Sequence, residues 1–114
     1  MTPAKRGDRV APPAGRDQWE VRFHTSQAAK GWEELCRQVP GNTARAWEEI
    51  RREPQPAVRT SRRLRLKGPL AYDDGLEQWQ YEVTGGGRIW YLVDTDKNTV
   101  WITYAGTGHP KATD

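Results

Sequence analysis

Cysteine, phenylalanine and methionine each occur once in the 114 residues. Lone Cys36 excludes an internal disulfide framework and a cysteine-rich zinc site, and fits a reducing compartment. Long hydrophobic runs are also missing: nothing approaches the roughly 18–20 consecutive apolar residues that cross a bilayer. Lys5, Arg6 and Arg9 near the start are followed by no apolar stretch, so a secretory leader is not expected and a cytoplasmic protein is. Catalytic signatures are scarce too. Two histidines without H-E-x-x-H, no G-x-x-x-x-G-K-[ST] and no G-x-S-x-G leave neither a metal nor a cofactor to expect. Gly85, Gly86 and Gly87 are followed by no helix, so they make no phosphate cradle. Aliphatic residues are sparse, with 35% of the chain hydrophobic, yet six residues are Trp. Disordered chains lack large aromatics, so one folded domain with an aromatic-rich core is expected.

Residues 1–18 read as a flexible basic arm, broken by Pro3, Gly7, Pro12, Pro13 and Gly15, with a net charge of +2. The folded domain is expected over 19–114. Trp19 to His24 alternates like a half-buried strand. Thr25 or Ser26 offers an N-cap, and Ala28, Ala29, Trp32, Leu35, Cys36 and Val39 follow at helical spacing. Pro40-Gly41 ends that helix. Asn42 or Thr43 caps a second one with Ala46, Trp47 and Ile50 on its apolar face, and Pro54 and Pro56 stop it. The short joint predicts an antiparallel helical hairpin. Gly68-Pro69 and Asp73-Asp74-Gly75 mark turns. Trp79, Tyr81 and Val83 alternate with polar residues, and Gly85–Gly87 supply a hairpin turn through glycine's tolerance of positive φ. Ile89 to Val93 is a continuous apolar run, the mark of a central strand. Thr99 to Tyr104 closes a three-strand meander, with Val100, Ile102 and Tyr104 on one face. The fold class is α+β, with the first strand joining the sheet and the helices over one face.

Charge is segregated along the chain. The net +3 resolves into +5 over residues 59–67, +2 in the arm and −4 elsewhere. The basic stretch holds Arg59, Arg62, Arg63, Arg65 and Lys67 with no acid. Clustered guanidinium forks suit phosphate, and such binding is salt-dependent. The other reading is a solvated run that keeps a sheet edge from pairing. Alternation sends Leu64 and Leu66 to the core and Arg63, Arg65 and Lys67 outward, with Arg62 a weaker candidate on the leucine side. Arg88 opens the apolar strand. It invites either an anionic ligand or a structural ion pair with Glu82. His109 and Lys111 follow the last strand, and histidine is the side chain suited to proton transfer near neutrality. Beside that reading stands a merely exposed histidine.

Several of these segments together resemble the RelE/ParE toxin superfamily. They are Leu66-Lys67-Gly68-Pro69-Leu70, Gln78 to Val83, Gly87-Arg88-Ile89-Trp90-Tyr91-Leu92-Val93-Asp94, and Val100-Trp101-Ile102 with a glycine-containing exit. The resemblance spans residues 19–111 and implies a RelE-like toxin neutralised by a cognate antitoxin protein. It implies a metal-independent endoribonuclease that cuts mRNA on the ribosome. Arg88 then matches the strand arginine that stabilises the charged phosphorane. His109, with Lys111 beside it, falls where family members carry an acid or base, and Arg59, Arg63, Arg65 and Lys67 hold RNA. Gln80 and Glu82 stand where some nucleases of the family carry lysines, and the late R-x-x-x-Y pattern is absent. A ParE-like inhibitor of DNA gyrase and a non-catalytic nucleic-acid-binding module are the alternatives. A membrane partner is not expected.

Overall fold

A helix begins at Ser26 because the Thr25 hydroxyl accepts the Ala28 amide at 3.0 Å, satisfying one of the donors left orphaned at a helix start. In the computed structural model, which describes residues 3–10, 14–15, 18–57 and 62–108, α1 spans Ser26–Gln38 and α2 spans Pro40–Arg52. Only Val39 separates them. Pro40-Gly41 was expected to terminate the first helix; instead Pro40 opens the second. Proline lacks an amide that the first turn would leave unused, and its φ is already helical. Thr43 caps nothing at the start. Its hydroxyl donates back to the Val39 and Leu35 carbonyls, at 2.8 and 3.1 Å, tying the joint together.

Among the described residues six strands accompany the helices. They are β1 (Glu20–Phe23), β2 (Arg63–Arg65), β3 (Tyr72–Asp73), β4 (Leu76–Glu82), β5 (Arg88–Asp94) and β6 (Thr99–Gly106). The sheet order is β1-β6-β5-β4-β2, with β3 paired to β4. The chain is thus a mixed α+β protein with two helices and a six-stranded sheet. β1 runs parallel to β6 at one edge, and the meander β4-β5-β6 is antiparallel throughout. Val21, Tyr81, Ile89, Tyr91, Val100 and Ile102 join Ala28, Ala29, Leu35, Ala46 and Ile50 in the core between sheet and helices. β5 is buried on both faces, as its apolar run implies. Asp74 and Gly75 both take positive φ in the two-residue β3–β4 turn, the geometry of a type I′ hairpin.

Three departures have local causes. Thr103 is a bulge: Trp90 pairs with Tyr104 but Tyr91 pairs with Ile102, so one β6 residue is skipped. The slip turns Tyr104 away from Val100 and Ile102 onto the opposite face, where its ring lies 5.7 Å from Trp90. Ala105 is thereby turned toward the helices. The glycines of the β4–β5 turn do not use positive φ. Gly86 and Gly87 are there for closeness: a Cβ on Gly87 would sit 2.9 Å from Thr84 Oγ1, and one on Gly86 would sit 3.1 Å from the Thr107 carbonyl, whereas one on Gly85 would meet nothing within 4 Å. Finally, the stretch read as a flexible arm is docked where it is described. Val10 is buried, Gly7 and Val10 donate to the carbonyls of Phe23 and Val21, and Arg9 pairs with Glu20.

The helix-facing side of β4 and β5 carries two tyrosines whose ionisation is suppressed. The Tyr81 hydroxyl donates to Glu49. Burial, then the bond to Glu49 and its charge, pushes the Tyr81 pKa from 10.0 to about 12. Burial raises Tyr91 as well. Both shifts favour the neutral form in the folded state. The stability these tyrosines contribute is therefore fully present below pH 10 and is lost as pH climbs from about 10 through 12, where only the unfolded chain ionises freely. Urea midpoints measured across that range should fall, and less steeply in Tyr81→Phe. A flat profile would contradict the burial of this hydroxyl.

Candidate nucleic-acid interface

The basic stretch maps onto β2 and its flanks, and the structure divides it. Arg63 pairs with Tyr81, a residue of the helix-covered face, so it points inward and is 6% exposed. Its guanidinium donates to the Glu53 carbonyl at 2.6 Å and to the Tyr91 hydroxyl at 3.1 Å, and it lies over the Tyr81 ring. The expected alternation is inverted: Leu64 is 38% exposed and Arg63 is inside. The reason is chemical. At that inward position stand a backbone carbonyl at the end of α2 and a buried tyrosine hydroxyl, and a leucine would leave the carbonyl without that donor. Arg63 is therefore a structural residue and is not available to hold phosphate. Leu66 is buried as expected.

Arg65 lies half exposed at the rim, hydrogen-bonded to the Tyr72 hydroxyl at 2.5 Å and 3.7 Å from Glu77. Lys67 is exposed at the single 3₁₀ turn Gly68–Leu70, and Arg65 and Lys67 border a cavity of about 410 Å³. Arg62, the residue set aside on spacing, is exposed at the other end of β2. Arg59, His109 and Lys111 lie outside the described residues.

Arg88 sits opposite Glu82 on β4 and opposite Gly106 on β6. Alternation places it with Trp90 and Leu92, on the face turned away from the helices. It is 8% exposed, and NH1 donates to the carbonyls of Thr84, Gly85 and Gly87 at 2.9, 3.2 and 3.0 Å. Arg88 thus holds the β4–β5 turn closed. Beside it the Tyr104 hydroxyl donates to the Gly108 carbonyl at 2.9 Å, bending the chain as it leaves the sheet. The structure brings together Arg88, the β4–β5 turn, Arg62 and the start of the C-terminal exit. It leaves Arg65 and Lys67 at the far end of β2.

One constellation was not legible in advance. His24 Nε2 lies 3.3 Å from Asp74 Oδ2, with its ring 6.3 Å from that of Trp101, beside a cavity of about 610 Å³. The partners are 50 residues apart, one just after β1 and the other in the β3–β4 turn, and only the closed fold brings them into contact. Trp79 faces the helices while Trp90 and Trp101 face away, so the three do not form one cluster. Cys36 is exposed on α1, with its thiol pushed up by partial burial and then by Glu33, the wrong direction for a nucleophile. Among the described residues no group of three His, Cys, Asp or Glu is placed to hold a metal ion, and no helix is long and apolar enough to cross a membrane. Comparison with protein-family models, with curated proteins and with solved structures finds no match to this chain.

Proposed function

We propose that this chain is a RelE-like toxin of a toxin–antitoxin pair, a ribosome-dependent mRNA endonuclease held inactive by a cognate antitoxin. The reading is supported by one strand and two helices ahead of the antiparallel β4-β5-β6 meander, with the basic segment folded as β2 against β4 and a short β3 added to the sheet. The observation that carries it is the place of Arg88, at the mouth of the central strand and paired to Gly106, where the exit bearing His109 and Lys111 begins. In this reaction the RNA 2′-oxygen attacks the adjacent phosphorus and its proton passes to a base. The charged phosphorane is stabilised by cations, and the departing 5′-oxygen takes a proton from an acid. Arg88 meets the phosphorane. His109 serves as the general acid or base, taking the 2′-hydroxyl proton or giving one to the 5′-oxygen, with the Lys111 cation next to it in the chain, and Arg65, Lys67 and Arg59 contact the RNA backbone. Arg63 has no part in this chemistry.

A second reading draws on a specific contact. NH1 of Arg88 is already engaged by three carbonyls of its own turn, which favours a turn shaped for binding, as in a ParE-like gyrase inhibitor. Induction under tight control, with mRNA ends mapped during translation, separates the two. Wild type should yield new ends and arrest growth. Arg88→Ala and His109→Ala should each lower cleavage by about 10²-fold or more, with melting curves confirming that both variants fold. Growth arrest with intact mRNA would reject the nuclease, and a supercoiling assay on gyrase would then test the second reading.

A further inference from the structure

The outward positions of β4 at the hairpin end, Gln80 and Glu82, hold no cation, so the strand preceding the turn has nothing with which to grip a phosphate. The cation there comes from the neighbouring strand. The Glu82 amide donates to the Arg62 carbonyl at 2.7 Å, which fixes Arg62 beside Glu82 just ahead of β2. Arg62 is exposed and borders a cavity of about 400 Å³ whose other walls include Asn42, Glu82, Thr84 and Gly85. Thr84 and Gly85 are also the residues whose carbonyls hold Arg88. Two guanidiniums therefore flank one turn, and Glu82 lies between them in register, opposite Arg88 and beside Arg62.

We propose that the cavity beside Arg62 is a phosphodiester-binding site for single-stranded RNA, with Arg62 its cation and Glu82 the carboxylate that weakens it. The proposal rests on the RNA reading above and adds the residue that grips the strand next to Arg88. A guanidinium fork matches two phosphate oxygens. A carboxylate within the same cavity opposes any anion that enters, so removing its charge strengthens binding.

The test is fluorescence anisotropy of a short fluorescein-labelled single-stranded RNA across a salt series, using the full chain. Arg62→Ala should weaken binding about tenfold at low salt and flatten the slope of log K against log salt by about 0.7. Arg62→Lys keeps the charge and should keep the slope. Glu82→Gln should bind more tightly than wild type. Arg45→Ala, an exposed arginine on α2, serves as the control and should match wild type. The site is overturned if Arg62→Ala behaves like Arg45→Ala, or if the wild-type protein does not bind the RNA. The two proposals fail separately. Loss of RNA binding in Arg62→Ala, together with intact mRNA when the wild-type protein is induced, removes the nuclease and keeps the site. Cleavage with unchanged binding removes the site alone.

Discussion

Replacing Gly31 by alanine should cost the fold about 3 kcal/mol or more, although alanine is the better helix former by about 1 kcal/mol. Gly31 lies inside α1, where a glycine is a liability unless something needs it. Here a Cβ would stand 1.7 Å from the carbonyl oxygen of Ala105 and 2.7 Å from its carbon. An ordinary carbon–oxygen contact is about 3.3 Å or longer, so helix and strand would have to separate by well over an ångström. The obstacle is backbone and cannot swing aside as a side chain can. A packed core does not absorb such a shift. Moving α1 would loosen Ala28, Ala29, Trp32 and Leu35 from β6 and β1, and all four are core residues. In thermal melting the loss should appear as a fall on the order of 10 °C or more. Gly41→Ala in the first turn of α2 is the matched control, because a Cβ there meets nothing within 4 Å. It should stay within about 1 kcal/mol of wild type. A Gly31→Ala protein that melts within a degree or two of wild type would mean that α1 does not sit this close to β6.

Gly31 also shows where the sequence stops being readable. Both helices and the β4-β5-β6 meander were legible, because periods of 3.6 and 2 are local and strong. The burial of β5 on both faces followed from five consecutive apolar residues. The helical stripe alone does not single out Gly31, since nothing local announces that a strand 74 residues later will press against it. Alternation puts Tyr104 on one face with Val100 and Ile102, and one skipped residue at Thr103 reverses it. A single-residue slip moves every side chain beyond it to the other face. Arg63 failed for the same reason: alternation within Arg62–Lys67 is visible, but which phase faces the helices is set by pairing with Tyr81. Pro40 failed differently, since proline marks a helix start as readily as an end. The site was half legible. Arg88 lies at the strand mouth, while the division of the basic stretch and the contact of His24 with Asp74 depend on the closed sheet.

Arg63→Ala should then destabilise the protein by about 2–4 kcal/mol, while Arg62→Ala, one residue away, should change stability by less than about 0.5 kcal/mol. The buried guanidinium links three elements. It donates to Glu53 at the end of α2, donates to Tyr91 on the central strand and covers the Tyr81 ring. Truncation removes the stem that fills the space and the donor that satisfies the Glu53 carbonyl. Tyr91 keeps its bond to the Pro54 carbonyl, so its hydroxyl is not orphaned. That retained bond holds the cost to the middle of the range for breaking a buried network. Arg63→Met separates the two contributions: it restores most of the stem and none of the donors, so it should fall between alanine and wild type in urea melts. Salt-dependent RNA binding is the discriminating second measurement. Per folded molecule, Arg63→Met should keep the wild-type slope, because a guanidinium facing the core neutralises no phosphate. Arg62→Ala should lose slope and keep its melting temperature. If instead Arg63→Met melts like wild type and loses RNA, the register of β2 against Tyr81 is wrong by one residue. The leucines would then return to the core, and the basic face would hold Arg63, Arg65 and Lys67 together.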